Sequence, residues 1–261
     1  MTPDLYRFTQ LARSSPKQQF NSVMGLLCRE EGLTDSFGRL AKNKAPGVDG
    51  MRKADYEVGL GDRLADLSAR LRRSGYRPQP VRRVYIPKAS GNGHRPLGIP
   101  ALEDRIVQDR ASQILQAIWE PEFLDCSFGF RPGKSAHDAL RRVDQIVMRE
   151  RTQWCVEADI KGFFNHVDHR WLVRFLEHRI ADKRFVRSIQ RFLKAGVMED
   201  GAVSASEQGT PQGGLVTPLT QLTTTVARRA NGQARFTARC RCWARRKAFD
   251  LWKPVNDVGA F

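Results

Sequence analysis

The stretch WCVEADIKGFFNHVDH, Trp154 to His169, holds the residues best suited to chemistry. Strand alternation puts Cys155, Glu157 and Asp159 on one face and Trp154, Val156, Ala158 and Ile160 on the other. The apolar set packs a core, which leaves Asp159 at the mouth of a site. A carboxylate there is costly unless it is paired, hydrogen-bonded or bound to a cation, so Asp159 is a candidate metal ligand. Asp168 is most simply the N-cap of a following helix, and His166 and His169 read as plain surface residues of a polar turn. Lys88 and Arg95 flank the tip Gly91-Asn92-Gly93, two cations on flexible backbone suited to closing over a triphosphate. GTPQGG, Gly209 to Gly214, is a Gly-rich turn opening a predicted helix. It is either an ordinary helix start or a place where Gln212 and backbone N–H groups meet a nucleotide.

The elements that position these residues follow from periodicity. Residues 20–31 are expected to be helical, KNKAPGVDG (42–50) to be a basic loop, and residues 54–73 to form one amphipathic helix through Leu60, Leu64, Leu67 and Leu71. Residues 81–86 and 95–99 read as a hairpin, and 101–118 as a helix with Ile106, Val107, Ile114, Leu115 and Ile118 inward. Helices are predicted over 136–149, 169–178 and 183–194, then a hairpin turning at Glu199-Asp200-Gly201. Strands and helices mix without a βαβ repeat, which makes the class α+β. From about Gln221 the apolar periodicity fades into an Arg- and Ala-rich tail, which reads as a basic RNA-binding tail, helical in part, or, the favoured expectation, as unstructured or translated in a shifted frame.

Across 261 residues the formal charge is +16, an excess that points to a polyanionic partner such as nucleic acid. The cations cluster: Arg70, Arg72, Arg73, Arg77, Arg82, Arg83, Lys88 and Arg95 share a stretch without a single acid. The five cysteines form no CxxC pair, which argues against a disulfide framework or a zinc ribbon. No apolar run reaches membrane-spanning length and the N-terminus lacks a signal-peptide core, so no membrane partner and a cytoplasmic location are expected.

Taken together and in order, KNKAPGVDG, VYIPKASGNGHRPLGIPALEDRIVQ, FLDCSFGFRPGKSAHDAL, VEADIKGFF and GTPQGGLVTPL resemble the successive blocks of bacterial group II intron-encoded reverse transcriptases, the maturase family. The resemblance implies a right-hand polymerase fold: an N-terminal helical extension (1–36), fingers (37–150), a partial palm (151–220) and a divergent basic tail (221–261). It implies that Asp159 and the Ile160 carbonyl are ligands in a site for two Mg²⁺ ions. Phe164 would lie under the dNTP sugar, Lys88 and Arg95 would hold the triphosphate, and Gln212 would support nucleotide and template. Arg82, Arg83, Arg131 and Lys134 are expected to bind nucleic acid. The implied partners are group II intron RNA, an RNA template with a DNA primer, and dNTPs.

The family's next block, an aromatic-Ala-Asp-Asp hairpin with the other metal-binding acids, has no counterpart: the sequence contains no Asp-Asp dipeptide. Asn165 also stands where the family usually has an acid. The expectation is a truncated reverse transcriptase, inactive alone because one carboxylate cannot hold two metals. The rival readings are a non-catalytic RNA-binding module and a reverse transcriptase of the diversity-generating or phage-defence type.

Overall fold

The computed structural model describes residues 2–87, 93–129, 131–149, 167–206 and 209. These fall into two units, one of the described residues in 1–123 and 160–226, the other of those in 124–159. In chain order the first carries α1 (Pro3–Ser14), α2 (Val23–Leu27), α3 (Glu30–Arg39), α4 (Lys53–Glu57), α5 (Leu60–Arg72), β1 (Val81–Pro87), β2 (His94–Ile99) and α6 (Leu102–Trp119). The second carries α7 (Ala136–Arg149), after which the first resumes with α8 (His169–Arg179), α9 (Lys183–Leu193), β3 (Val197–Glu199) and β4 (Ala202–Ser204). The mixture is α+β, as the pattern predicts. Among the described residues no helix is long and apolar enough to cross a membrane.

Helix α6 is the centre of the larger unit, packed against α1, α2 and α3. Ile106, Val107, Ile114, Leu115 and Ile118 are buried as their spacing predicts, but Asp104, Gln108, Arg110 and Gln113 are buried too. A buried polar group is tolerable only with partners, and these have them. Arg110 Nε donates to the Leu26 carbonyl at 3.2 Å and Nη1 to Gln113 Oε1 at 3.3 Å. Gln113 donates onward to Ser36 Oγ at 3.0 Å and to Asp109 at 2.7 Å. At the start of α6, Glu103 accepts two bonds of 2.9 Å from Arg70 and one of 3.0 Å from the Tyr56 hydroxyl. Asp104 accepts from the Tyr76 hydroxyl and, at 3.0 Å, from the Gln79 N–H.

Two predicted helices are split. The one expected over 20–31 divides at Cys28–Arg29, where Arg29 is extended. The carbonyls ending α2 are taken by side chains from elsewhere: Ser68 Oγ donates to the Cys28 carbonyl at 2.6 Å, and Arg110 holds Leu26. The helix expected over 54–73 divides at Gly59, whose φ of 72° is left-handed and cannot continue a right-handed helix. The helices predicted over 101–118, 136–149, 169–178 and 183–194 and both hairpins lie within a residue or so of their predicted positions. The predicted strand through Asp159, the helix after the GTPQGG turn and the tail from about Gln221 lie outside the described residues.

The sheet has strand order β2-β1-β3-β4. β1 pairs antiparallel with β2 and, across more than a hundred residues of chain, parallel with β3. The β3–β4 hairpin turns at Asp200-Gly201, both with positive φ, as its two-residue loop requires. The N-terminal segment is fastened to α8 and α9: Phe20 bridges Ile180, and buried Arg179 donates to the carbonyls of Gln18 (3.0 Å) and Pro16 (2.8 Å) and pairs with Glu122.

Burial pushes the Asp104 carboxyl up to about 7 from 3.8, outweighing the Tyr76 and Gln79 hydrogen bonds that pull it down. The folded state keeps a proton that the unfolded chain releases. Stability therefore falls as pH rises from about 4 to about 7 and levels off above. Urea unfolding should give a higher midpoint at about pH 5 than at about pH 8, with an Asp104 share on the order of a few kcal/mol. The difference should shrink in Asp104→Asn.

Candidate nucleic-acid interface

Alternation along the β1–β2 hairpin sorts its cations onto opposite faces. The register pairs Arg82 with Ile99, Val84 with Leu97 and Ile86 with Arg95, so Arg82 and Arg95 share one face. Arg83 and Tyr85 lie on the other, which a single basic face made of Arg82 and Arg83 does not describe. Arg83 stands 3.7 Å from Glu199, whose other oxygen accepts from the Tyr85 hydroxyl at 2.6 Å. These contacts tie the hairpin to β3.

The Arg82 guanidinium is directed inward. Its Nε and Nη2 both donate to the Pro46 carbonyl, at 3.1 and 2.7 Å. Arg105, on the first turn of α6, donates to the Pro100 carbonyl at 3.0 Å and to the Ala45 carbonyl. Partial burial lowers the Arg105 pKa, Asp49 opposes that shift and Arg82 adds to it. Between the two arginines Gly47 lies flat on the backbone of Ala101, where a Cβ would come within 2.6 Å. The loop is thus clamped at Ala45, Pro46 and Gly47. Arg95 is exposed on β2. Its expected colleague Lys88 lies outside the described residues, as do Asp159, Ile160, Phe164 and Gln212.

The flanks of the two blocks expected to carry Asp159 and Gln212 are described, and they meet. Asp168 caps α8, accepting from the Arg170 N–H at 2.7 Å, and the Arg170 contacts hold its carboxyl below the usual range. One residue earlier, the Val167 carbonyl accepts from the Gly209 N–H at 2.8 Å. One residue later, His169 Nε2 lies 2.6 Å from the Gly209 carbonyl. A carbonyl only accepts, so Nε2 carries the proton. His169 is therefore more than a surface residue: with Val167 it brackets the first glycine of GTPQGG. No sequence signal distinguished it from His166, because the partner is forty residues away.

In the second unit Arg131 turns back on its own loop, donating to the carbonyls of Leu124 (2.9 Å) and Ser127 (2.8 Å). Lys134 is exposed, its ammonium 5.6 Å from the centre of the Phe128 ring. Ser135 and Asp138 cap α7 reciprocally, with Asp138 Oδ2 accepting from the Ser135 N–H at 2.8 Å and the Asp138 N–H reaching Ser135 Oγ at 3.2 Å. The Ser135 bonds also lower the Asp138 pKa.

Residues 86–233 match the family described as Reverse transcriptase (RNA-dependent DNA polymerase). The chain belongs to that family. Several of its relatives are named as intron proteins. The group II intron-encoded protein LtrA of Lactococcus lactis is 34% identical over 82% of this chain and 36% of its own length. Protein YkfC of Escherichia coli is 37% identical over 80% of this chain and 56% of its own. An uncharacterised protein in a cob intron of Schizosaccharomyces pombe is 34% identical over 76% of this chain. The chain is thus similar to proteins named for group II introns and to a protein in a cob intron. It spans about half the length of YkfC and about a third of LtrA. A solved chain of a partial Cas6-RT-Cas1–Cas2 complex shares the fold, with a TM-score of 0.50 at 20% identity over 82% of this chain and 35% of that one.

Reverse transcriptases work with divalent metal ions. Among the described residues of this one, no group of three or more His, Cys, Asp or Glu side chains is placed to hold such an ion.

If Arg82 is a clamp, Arg82→Ala should release the loop while Arg83→Ala leaves it held. Limited trypsin digestion followed by mass spectrometry should show cleavage after Lys42 and Lys44 several-fold faster in the first variant and unchanged in the second.

Proposed function

We propose that this chain supplies the fingers (37–150) and part of the palm (151–220) of an RNA-directed DNA polymerase that acts on group II intron RNA and assists its splicing. The observation that carries the reading is the pair of contacts at Gly209, which bring together the segment after Asp159 and the segment before Gln212. A polymerase site needs those two blocks side by side. Asp159 and the Ile160 carbonyl then offer oxygen ligands of the kind Mg²⁺ prefers. A bound ion of this type neutralises charge developing during phosphoryl transfer. Lys88 and Arg95 hold the incoming triphosphate, Phe164 lies against the dNTP sugar and excludes a 2′-hydroxyl by bulk, and Gln212 supports the nucleotide on its template. Arg82, Arg83, Arg131 and Lys134 contribute to the basic surroundings of template and primer, Arg82 and Arg131 through the loops they hold.

The sequence contains no Asp-Asp dipeptide, so this chain by itself lacks the further acids of a two-metal site. The net charge of +16 favours a second reading beside the first, in which the isolated chain binds RNA without chemistry. Primer extension on poly(rA)/oligo(dT) with Mg²⁺ or Mn²⁺ tests the point. Incorporation is expected at background, equal in the native chain and in Asp159→Ala. Robust dTMP incorporation that Asp159→Ala abolishes would overturn the inactive-alone reading and confirm the Asp159 role.

A further inference from the structure

Loop 42–47 carries two cations that the fold does not use. Lys42 and Lys44 are exposed and make no ion pair or hydrogen bond among the described residues. The backbone beside them is nevertheless fixed from three sides. Arg82 holds the Pro46 carbonyl, Arg105 the Ala45 and Pro100 carbonyls, and Gly47 is pressed on Ala101. Both anchoring groups are themselves cations, and both spend their hydrogen bonds on neutral carbonyls. Loop and anchors together hold Lys42, Lys44, Arg82 and Arg105, with Asp49 the acid acting on Arg105. Gathering like charges on a rigid segment costs free energy in the free protein. It is offset when a polyanion arrives, and a loop already ordered loses little entropy on binding.

We propose that loop 42–47 is a preformed phosphodiester-binding strip for RNA. Lys42 and Lys44 supply the phosphate contacts. Arg82 and Arg105 are positioning residues that keep the strip in place without touching the ligand. The inference rests on the nucleic-acid-binding reading above and adds the contact to it. Lysine suits the contact because it meets a phosphate as a mobile point charge, whereas the planar arginine fork suits the carbonyl clamp.

The test is fluorescence anisotropy of the full chain with a labelled single-stranded RNA, across a salt series, and with DNA of the same sequence. Changing Lys42→Ala and Lys44→Ala together should reduce the slope of log affinity against log salt by about 1.4, at about 0.7 per phosphate contact on a single strand. Binding at about 0.1 M salt should weaken roughly tenfold or more, with thermal unfolding unchanged because both side chains are exposed. A drop on RNA larger than or equal to that on DNA supports the strip, and a drop confined to DNA overturns its assignment to RNA. Arg105→Lys keeps the charge but loses the fork. It should weaken binding in the native chain and add nothing once both lysines are alanine. A fully additive loss would overturn the positioning role. If the native chain binds RNA and the lysine changes leave affinity and slope untouched, the strip is wrong while the nucleic-acid reading stands. Failure of the native chain to bind RNA even at low salt overturns both.

Discussion

Burying Arg110 and Asp104 on one helix constrains nearly everything else in the larger unit. A guanidinium and a carboxyl removed from water must find partners inside the protein, and α6 supplies only part of them, Gln113 for Arg110. Arg110 therefore reaches α2 through the Leu26 carbonyl, and Gln113 extends the chain of bonds to Ser36 on α3. Glu103 and Asp104 draw in Arg70, Tyr56, Tyr76 and the Gln79 N–H. Gly32 has no side chain because the Arg110 guanidinium passes where its Cβ would be, 2.4 Å away. Apolar burial drives these helices together, and the polar groups of α6 dictate where each one stops.

Local pattern was enough to read the individual elements. Leu64, Leu67 and Leu71 mark α5, and Asp168 announces the start of α8 by capping it. What local pattern could not supply was anything decided by a distant partner. The break at Cys28–Arg29 depends on Ser68 and Arg110, and no feature of residues 20–31 foretells it. The break at Gly59 did have a signal, the glycine itself, but an isolated glycine in a helical pattern is also tolerated at modest cost. The parallel pairing of β1 with β3 leaves no mark in either strand. For the site, motif order located the blocks, and strand alternation alone would have put Arg82 and Arg83 on opposite faces. The clamping role of Arg82 needed the position of Pro46.

Net charge is a blunt guide to how a basic protein meets its partner. Many arginines here are structural. Arg82, Arg105, Arg110, Arg131, Arg179 and Arg191 all donate to backbone carbonyls. A guanidinium can satisfy two carbonyls at once and stays charged while doing so, which suits it to irregular loops that lack secondary-structure partners. The lysines at 42, 44 and 134 are exposed. The division is not strict, since Lys53 also holds the Gly38 and Leu40 carbonyls, at 3.1 and 2.5 Å, and Arg95 is exposed.

The fastening of the N-terminal segment has a consequence for how the chain reaches its fold. The Met24 N–H is held at 2.7 Å by Asp182, 158 residues later, and Gln18 and Pro16 by Arg179, 161 and 163 residues later. A chain emerging from the ribosome therefore makes its first helices long before the residues that seal them exist. Until α8 and α9 have been synthesised, the carbonyls of Pro16 and Gln18 must remain hydrated and the lining of α2 uncovered. Contacts of such long range fold slowly and leave apolar surface exposed in the interval. The N-terminal helices are therefore sealed only once the chain that carries Arg179 and Asp182 is present.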